Sequence, residues 1–264
     1  MGGLTPAISV GGDMAVAAAS VNYASGTSLR VGDVIGRGVT VWSKIIWPCG
    51  VIYGVALVPG LVNTLALQQH KVTPGYLLGW RYWSVMLVAG LFGLVARAIV
   101  VQASAQVVEE RGLRISAAID SGMGRLLSLL GAWLLGGLAL MCATMLLVVP
   151  GLMLWTAWYV LTPVCVLERL GPVASLSRSA ELTKGNRWRI FGLILILMVF
   201  GGIAAALPMV GAKLSLGGAA AAVMQVVAQA LVGVFETAVS VVTYQDLRAA
   251  KEGIGGGRIA SVFD

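Results

Sequence analysis

Few residues in this 264-residue chain are of a type and spacing suited to bond-making chemistry. There is one histidine, His70, and no serine, histidine and acid fall at a spacing that suits nucleophilic catalysis. Cys49, Cys142 and Cys165 all lie in apolar stretches and form no CxxC pair, so they read as thiols behaving as small hydrophobes. The carboxylates are dispersed, which leaves no metal-ligand cluster, and no metal or other cofactor is expected. The run Gly32-Asp33-Val34-Ile35-Gly36-Arg37-Gly38 is glycine-rich but follows no strand, so it is not a nucleotide loop. No enzymatic activity is expected from these residues.

Two other constellations carry a physical message. Arg97 and Glu236 each sit inside a long apolar run, and Glu236 precedes Asp246 by ten residues, about 15 Å along a helix. Charge at that depth is costly, and it is paired or faces a water-filled cavity. A charge pair between Arg97 and Glu236 is one expectation; the alternatives are snorkelling of Arg97 to the interface and a Glu236 that is protonated or bonded to a neighbouring backbone carbonyl. The second constellation is basic: Arg178, Lys184, Arg187 and Arg189 fall within twelve residues, beside Trp188. Such a cluster suits anionic lipid headgroups, although positive charge also does no more than fix orientation in many membrane proteins.

The elements that must position these residues follow from composition. The chain is 58% hydrophobic and only 11% charged, with a mean hydropathy of +0.91. That is too little charge to cover a soluble surface of this size, and it excludes disorder. The fold class expected is an all-α integral membrane protein with six transmembrane helices, at about 48–69, 82–106, 126–149, 151–168, 188–210 and 219–244. Val149-Pro150-Gly151-Leu152 breaks the third span from the fourth as a tight hairpin. The stretch 1–28 reads as a flexible tail without a signal peptide, 29–246 as the membrane domain and 247–264 as a C-terminal tail.

Lys and Arg give the orientation. Fourteen fall before the first span, in the even-to-odd loops and after the sixth span, and three (Lys71, Arg81 and Lys213) fall on the other side. By the positive-inside rule both termini are cytoplasmic in a bacterial inner membrane. Trp42, Trp47 and Trp188 then mark the inner interface, and Trp80, Trp83, Trp155 and Trp158 the outer one. The net charge of +7 is accounted for by this bias, so no nucleic-acid partner is expected. Membrane lipids are, together with a membrane protein or a second copy of the chain.

Each odd-numbered span is also preceded by a short stretch resembling an interfacial helix: Leu29 to Ser43, Leu113 to Gly124 and Val173 to Lys184. Val58-Pro59-Gly60-Leu61 recurs as Val149-Pro150-Gly151-Leu152. Three repeated units, each an interfacial helix plus a helical hairpin, are expected from this. In the third, Pro172 suits a first helical turn, Gly185 a left-handed residue past the helix end, and Arg178 pairs with Glu181 one turn on. Val173, Leu176 and Ala180 form the stripe expected to face the membrane.

The run Ser177 to Trp188, the pairing of Val149-Pro150-Gly151 with Glu168, and the ending Tyr244-Gln245-Asp246-Leu247-Arg248 resemble one known family. It is the membrane domain that some bacteria fuse to glycerophosphodiester phosphodiesterases, with its stand-alone inner-membrane relatives. The resemblance implies a six-helix membrane protein sometimes associated with lipid enzymes. It implies no phosphodiesterase activity here, because a catalytic barrel of about 250 residues has no room beside six spans. The function expected first is a non-catalytic scaffold or accessory protein in lipid organisation or for a membrane partner. The alternative is a transporter or channel with a polar site around Glu236 and Arg97.

Overall fold

A computed structural model describes residues 29–69, 79–213 and 218–252. The expected tail 1–28 and the loop at His70 lie outside the described residues. All regular structure among those described is helical. It comprises α1 (Val31–Gln69), α2 (Trp80–Val108), α3 (Ile115–Met123), α4 (Leu126–Leu146) and α5 (Val148–Ala157). It continues with α6 (Leu161–Leu167), α7 (Pro172–Thr183), α8 (Arg187–Lys213) and α9 (Gly218–Glu252). Six stretches are long and apolar enough to cross a membrane: Val31–Leu61, Trp80–Val108, Leu126–Leu146, Val149–Leu167, Arg187–Leu207 and Ala220–Glu252. Large apolar side chains such as Leu87, Phe92, Leu134, Met145 and Val199 are exposed around the bundle, a surface that only lipid or protein tolerates. The chain is a multi-pass helical membrane protein.

The first lead-in helix is not separate. Leu29 to Ser43 was expected at the interface, but α1 runs unbroken from Val31 through the first span. No breaker separates the two stretches, and Pro48 and Pro59 lie inside the helix, each deleting one backbone hydrogen bond. Burial of Val41, Ile45, Cys49 and Tyr53 in the core offsets that loss. The recurring Val-Pro-Gly-Leu therefore does two different jobs. In α1 it continues a helix, whereas at 149–152 it begins one.

Between the third and fourth spans the chain reverses within one residue. Leu147 alone is extended (φ −161°, ψ 142°), and Pro150 follows in the first turn of α5, where a missing N–H costs nothing. The reversal is so tight that a Cβ on Gly151 would stand 2.2 Å from Thr144 Cγ2.

The second and third lead-in helices do form, as α3 and α7. The α7 helix starts with Pro172 at its first turn, and Gly185 follows with φ +94°, as its sequence implies. Its buried side is not apolar, however. Ser175, Ser179, Leu182 and Thr183 are buried, while Val173 is 69% exposed.

Helix α9 is the axis of the bundle and contributes to every buried cluster. Small residues such as Ala204, Ala221 and Ala222 are buried in one half of the bundle, and the larger buried side chains concentrate in the other. All buried residues of α2 lie between Ala96 and Ala105, and those of α4 are Leu129, Ala132 and Gly136. That half ends in an Arg37–Asp246 ion pair joining α1 to α9.

Candidate functional site

The fourth span is broken in its middle. Helix α5 ends at Ala157, Trp158 to Val160 form a turn, and α6 restarts at Leu161. The Leu161 N–H donates to the Trp158 carbonyl at 3.0 Å, one residue short of the α-helical partner, which leaves the Ala157 carbonyl free of the helix. Pro163 contributes by having no N–H to offer the Tyr159 carbonyl four residues earlier. An unpaired carbonyl inside a membrane protein is costly, and here α7 supplies the donors. Ser179 Oγ donates to Ala157 O at 2.9 Å, and the Thr183 hydroxyl lies 3.1 Å from the same carbonyl, its one proton shared with the Ser179 carbonyl at 3.0 Å; both side chains are fully buried. The small polar face of α7 thus holds the break in place.

Beside this break lies a cavity of about 400 Å³. Arg97 reaches it from α2, Trp133 and Gly137 from α4, Tyr159 from the break, and Glu236 and Ser240 from α9. Arg97 is firmly placed. Its Nε donates to the Tyr53 hydroxyl at 3.2 Å, and its guanidinium lies 5.2 Å from the centroid of the Trp133 ring. Tyr53 is in turn seated on α9 at Gly233, where a Cβ would stand 2.6 Å from its ring. Glu236 Oε1 faces α8 at Gly201, 3.5 Å from where a Cβ would stand there. Arg97 and Glu236 attract each other across the cavity, but no ion pair joins them. The Tyr159 hydroxyl is buried near Thr243 and makes no hydrogen bond of ordinary geometry.

At the tight end of the bundle the charges are engaged with one another. Arg178 Nε donates to Glu168 at 3.0 Å, and the same guanidinium meets Glu252 of α9 and, at 3.6 Å, Glu181. The Tyr244 hydroxyl donates to Glu168 at 3.0 Å, and Arg248 Nε to Glu252 at 2.8 Å. Burial alone would weaken the charge on Arg178. The hydrogen bonds it donates to Glu168 and Glu252 outweigh it and hold the guanidinium above its ordinary range. This network ties the end of the broken span to α7 and to the last turn of α9.

A family model matches residues 115–247, that of a domain of unknown function designated DUF7847. The chain belongs to this family. No curated protein and no solved structure matches it. The DUF7847 match runs from α3 to Leu247 and so takes in the helix break, α7 and Glu236, while Arg97 and Tyr53 lie outside it. It carries no link to glycerophosphodiester phosphodiesterase fusions, so the resemblance seen from Ser177 to Trp188 narrows to membership of an uncharacterised membrane family.

The structure brings together two of the residues singled out in the sequence, Arg97 and Glu236, in one cavity. It separates the basic cluster. Arg178 is taken up by carboxylates, whereas Lys184 and Arg189 are exposed, Trp188 is 86% exposed, and Arg187 Nε is buried without a hydrogen-bond partner. Trp155 and Trp158, expected in the outer belt, line the cavity instead, because the break places them partway along the span. Trp133, Tyr53 and Tyr159 escaped notice in the sequence. A polar and aromatic run ending in proline, Trp155 to Pro163, within an apolar span was the signal that could have found Tyr159, while Trp133 and Tyr53 lie in other spans and gave none. Among the described residues no three His, Cys, Asp or Glu side chains are grouped to hold a metal ion.

Proposed function

We propose that this DUF7847 protein binds a small polar or amphipathic ligand within the membrane and handles it as a transporter or lipid-handling protein. One observation carries the reading: a cavity of about 400 Å³, within the usual size of ligand sites, holds Arg97 and Glu236 beside a broken membrane helix. Discontinuous helices with charged side chains near mid-span are a recurrent way of building substrate sites in membranes. Gly137 lines this cavity and has open space around it, so Gly137→Phe fills the cavity without a backbone clash. Mass spectrometry of protein extracted from native membranes tests the reading. A small molecule or lipid retained by the wild type and lost from Gly137→Phe is expected; the same molecules retained by both would reject the cavity as the site.

A scaffold role in lipid organisation is the second reading. It draws on the exposed Lys184, Trp188 and Arg189, which with Arg187 suit an anionic headgroup; Arg178 contributes least, being held by Glu168 and Glu252. Both readings take the tight end of the bundle as the cytoplasmic side of a bacterial inner membrane, following the bias of Lys and Arg. Cysteine labelling from outside, in a background without the native cysteines, decides the orientation. Lys184→Cys should be protected and His70→Cys labelled; the reverse pattern would invert the topology. The three-unit repeat belongs here too, with α3 and α7 as its two separate interfacial helices.

A further inference from the structure

We infer that the cavity between Arg97 and Glu236 is built for a dipolar group, an anion and an ammonium carried on one ligand. This rests on reading the cavity as a ligand site. Two opposite charges inside a membrane protein ordinarily collapse into contact, since each is costly alone and their attraction is strong where water is scarce. Here they line the same cavity and stay apart. Arg97 is kept from closing by its bond to Tyr53 and its stacking on Trp133, and Tyr53 is fixed by its seat on Gly233. Glu236 has no hydrogen-bond donor among the described residues, and its carboxylate lies against Gly201, 3.5 Å from where a Cβ would stand there.

The surroundings divide in the same sense. Near Arg97 the chemistry suits an anion: a guanidinium whose Nε is given to Tyr53 and whose remaining N–H groups meet no carboxylate among the described residues. Near Glu236 it suits a cation. Thr237 and Ser240 have already spent their protons on the Gly233 and Thr237 carbonyls at 2.7 and 2.8 Å, so their oxygens face the cavity only as acceptors. Trp155 and Trp158, which line the same cavity, add aromatic surface that attracts an ammonium. A lone anion would leave Glu236 unmatched and repelled, and a lone cation would do the same to Arg97. A group bearing both charges satisfies the two at once. Such a group occurs as the headgroup of an aminophospholipid or as a free zwitterion such as an amino acid.

Titration of the purified full chain in a non-ionic detergent, followed by tryptophan fluorescence, tests this. The probes are lysophosphatidylethanolamine (dipolar), lysophosphatidylglycerol (anionic), a long-chain amine (cationic) and a monoacylglycerol (neutral), with glycine and free phosphoethanolamine as chainless dipolar groups. The dipolar lysolipid is expected to bind at least tenfold more tightly than the other three. Comparison with the chainless pair distinguishes a lipid from a soluble source. Glu236→Gln should erase the preference for the dipolar over the anionic lysolipid, and Arg97→Gln the preference for the dipolar lysolipid over the amine. Equal binding of dipolar and neutral probes by the wild type would overturn the inference without any variant. So would an unchanged dipolar-to-anionic ratio in Glu236→Gln. If no probe binds and none alters the fluorescence, the cavity reading falls as well; if the anionic or neutral probe binds best, only the dipolar inference falls.

Discussion

Arg97 and Glu236 face one cavity from helices α2 and α9, attract each other across it and do not touch. Their mutual attraction gives the first prediction. Glu236→Ala leaves Arg97 without a counter-charge, and each single removal is expected to cost about 3 kcal/mol. The double variant should cost less than the sum, because it removes both charges together. Thermal unfolding of the four proteins in detergent measures this. Simple additivity would show that the two charges act independently.

Tyr53 holds Arg97 in place, and Gly233 holds Tyr53. Gly233→Ala puts a Cβ 2.6 Å from the Tyr53 ring, so the ring must move; the expected cost is about 1–3 kcal/mol, with Arg97 displaced. Tyr53→Phe keeps the packing and deletes only the 3.2 Å hydrogen bond, at about 1 kcal/mol. If Gly233→Ala were as mild as Tyr53→Phe, the close approach would not be what seats the tyrosine.

The break in the fourth span depends on two hydroxyls from another helix. Ser179→Ala or Thr183→Val alone leaves the Ala157 carbonyl one donor and should cost about 1 kcal/mol. Both together leave it buried and unpaired, at about 2–3 kcal/mol. Melting temperatures decide it: a double variant no less stable than either single one would mean that the carbonyl finds another partner.

Within the basic cluster, Arg178 is expected to act differently from its neighbours. Arg178→Gln leaves Glu168 and Glu252 without their shared cation, so stability should fall by about 1–3 kcal/mol with little change in copurifying lipid. Replacing Lys184, Arg187 and Arg189 together by Gln should reduce copurifying anionic lipid while stability stays near wild type. Lipid analysis and unfolding on the same preparations separate the two. Equal lipid loss in both variants would place Arg178 in the headgroup site.

The membrane class and the six spans were legible from hydropathy and length, because crossing a bilayer imposes both at once. So were the reversal near Pro150 and the left-handed Gly185, each of which depends on neighbouring residues alone. The continuity of α1 was not, since the mixed polar and apolar stretch Leu29 to Ser43 reads locally as an interfacial helix, and burial of Val34, Val41 and Ile45 in the core makes it one helix with the first span. The cavity was half legible. Arg97 and Glu236 stood out because charge is rare in apolar runs. Trp133 and Tyr53 did not, because aromatic residues are ordinary in such runs and only tertiary contact gives them a role. The role of the polar side of α7 was not legible for a related reason. The partner of Ser179 and Thr183 is a carbonyl freed by a break elsewhere in the chain.

The most direct measurement is a cryo-electron microscopy map of the full chain extracted with its native lipids and without exchange into detergent. Density not belonging to the protein is expected between the Arg97 guanidinium and the Glu236 carboxylate, with Tyr53 still in contact with Arg97. An empty gap closed by a direct Arg97–Glu236 ion pair would contradict the central claim, since the two charges would then serve each other and not a ligand.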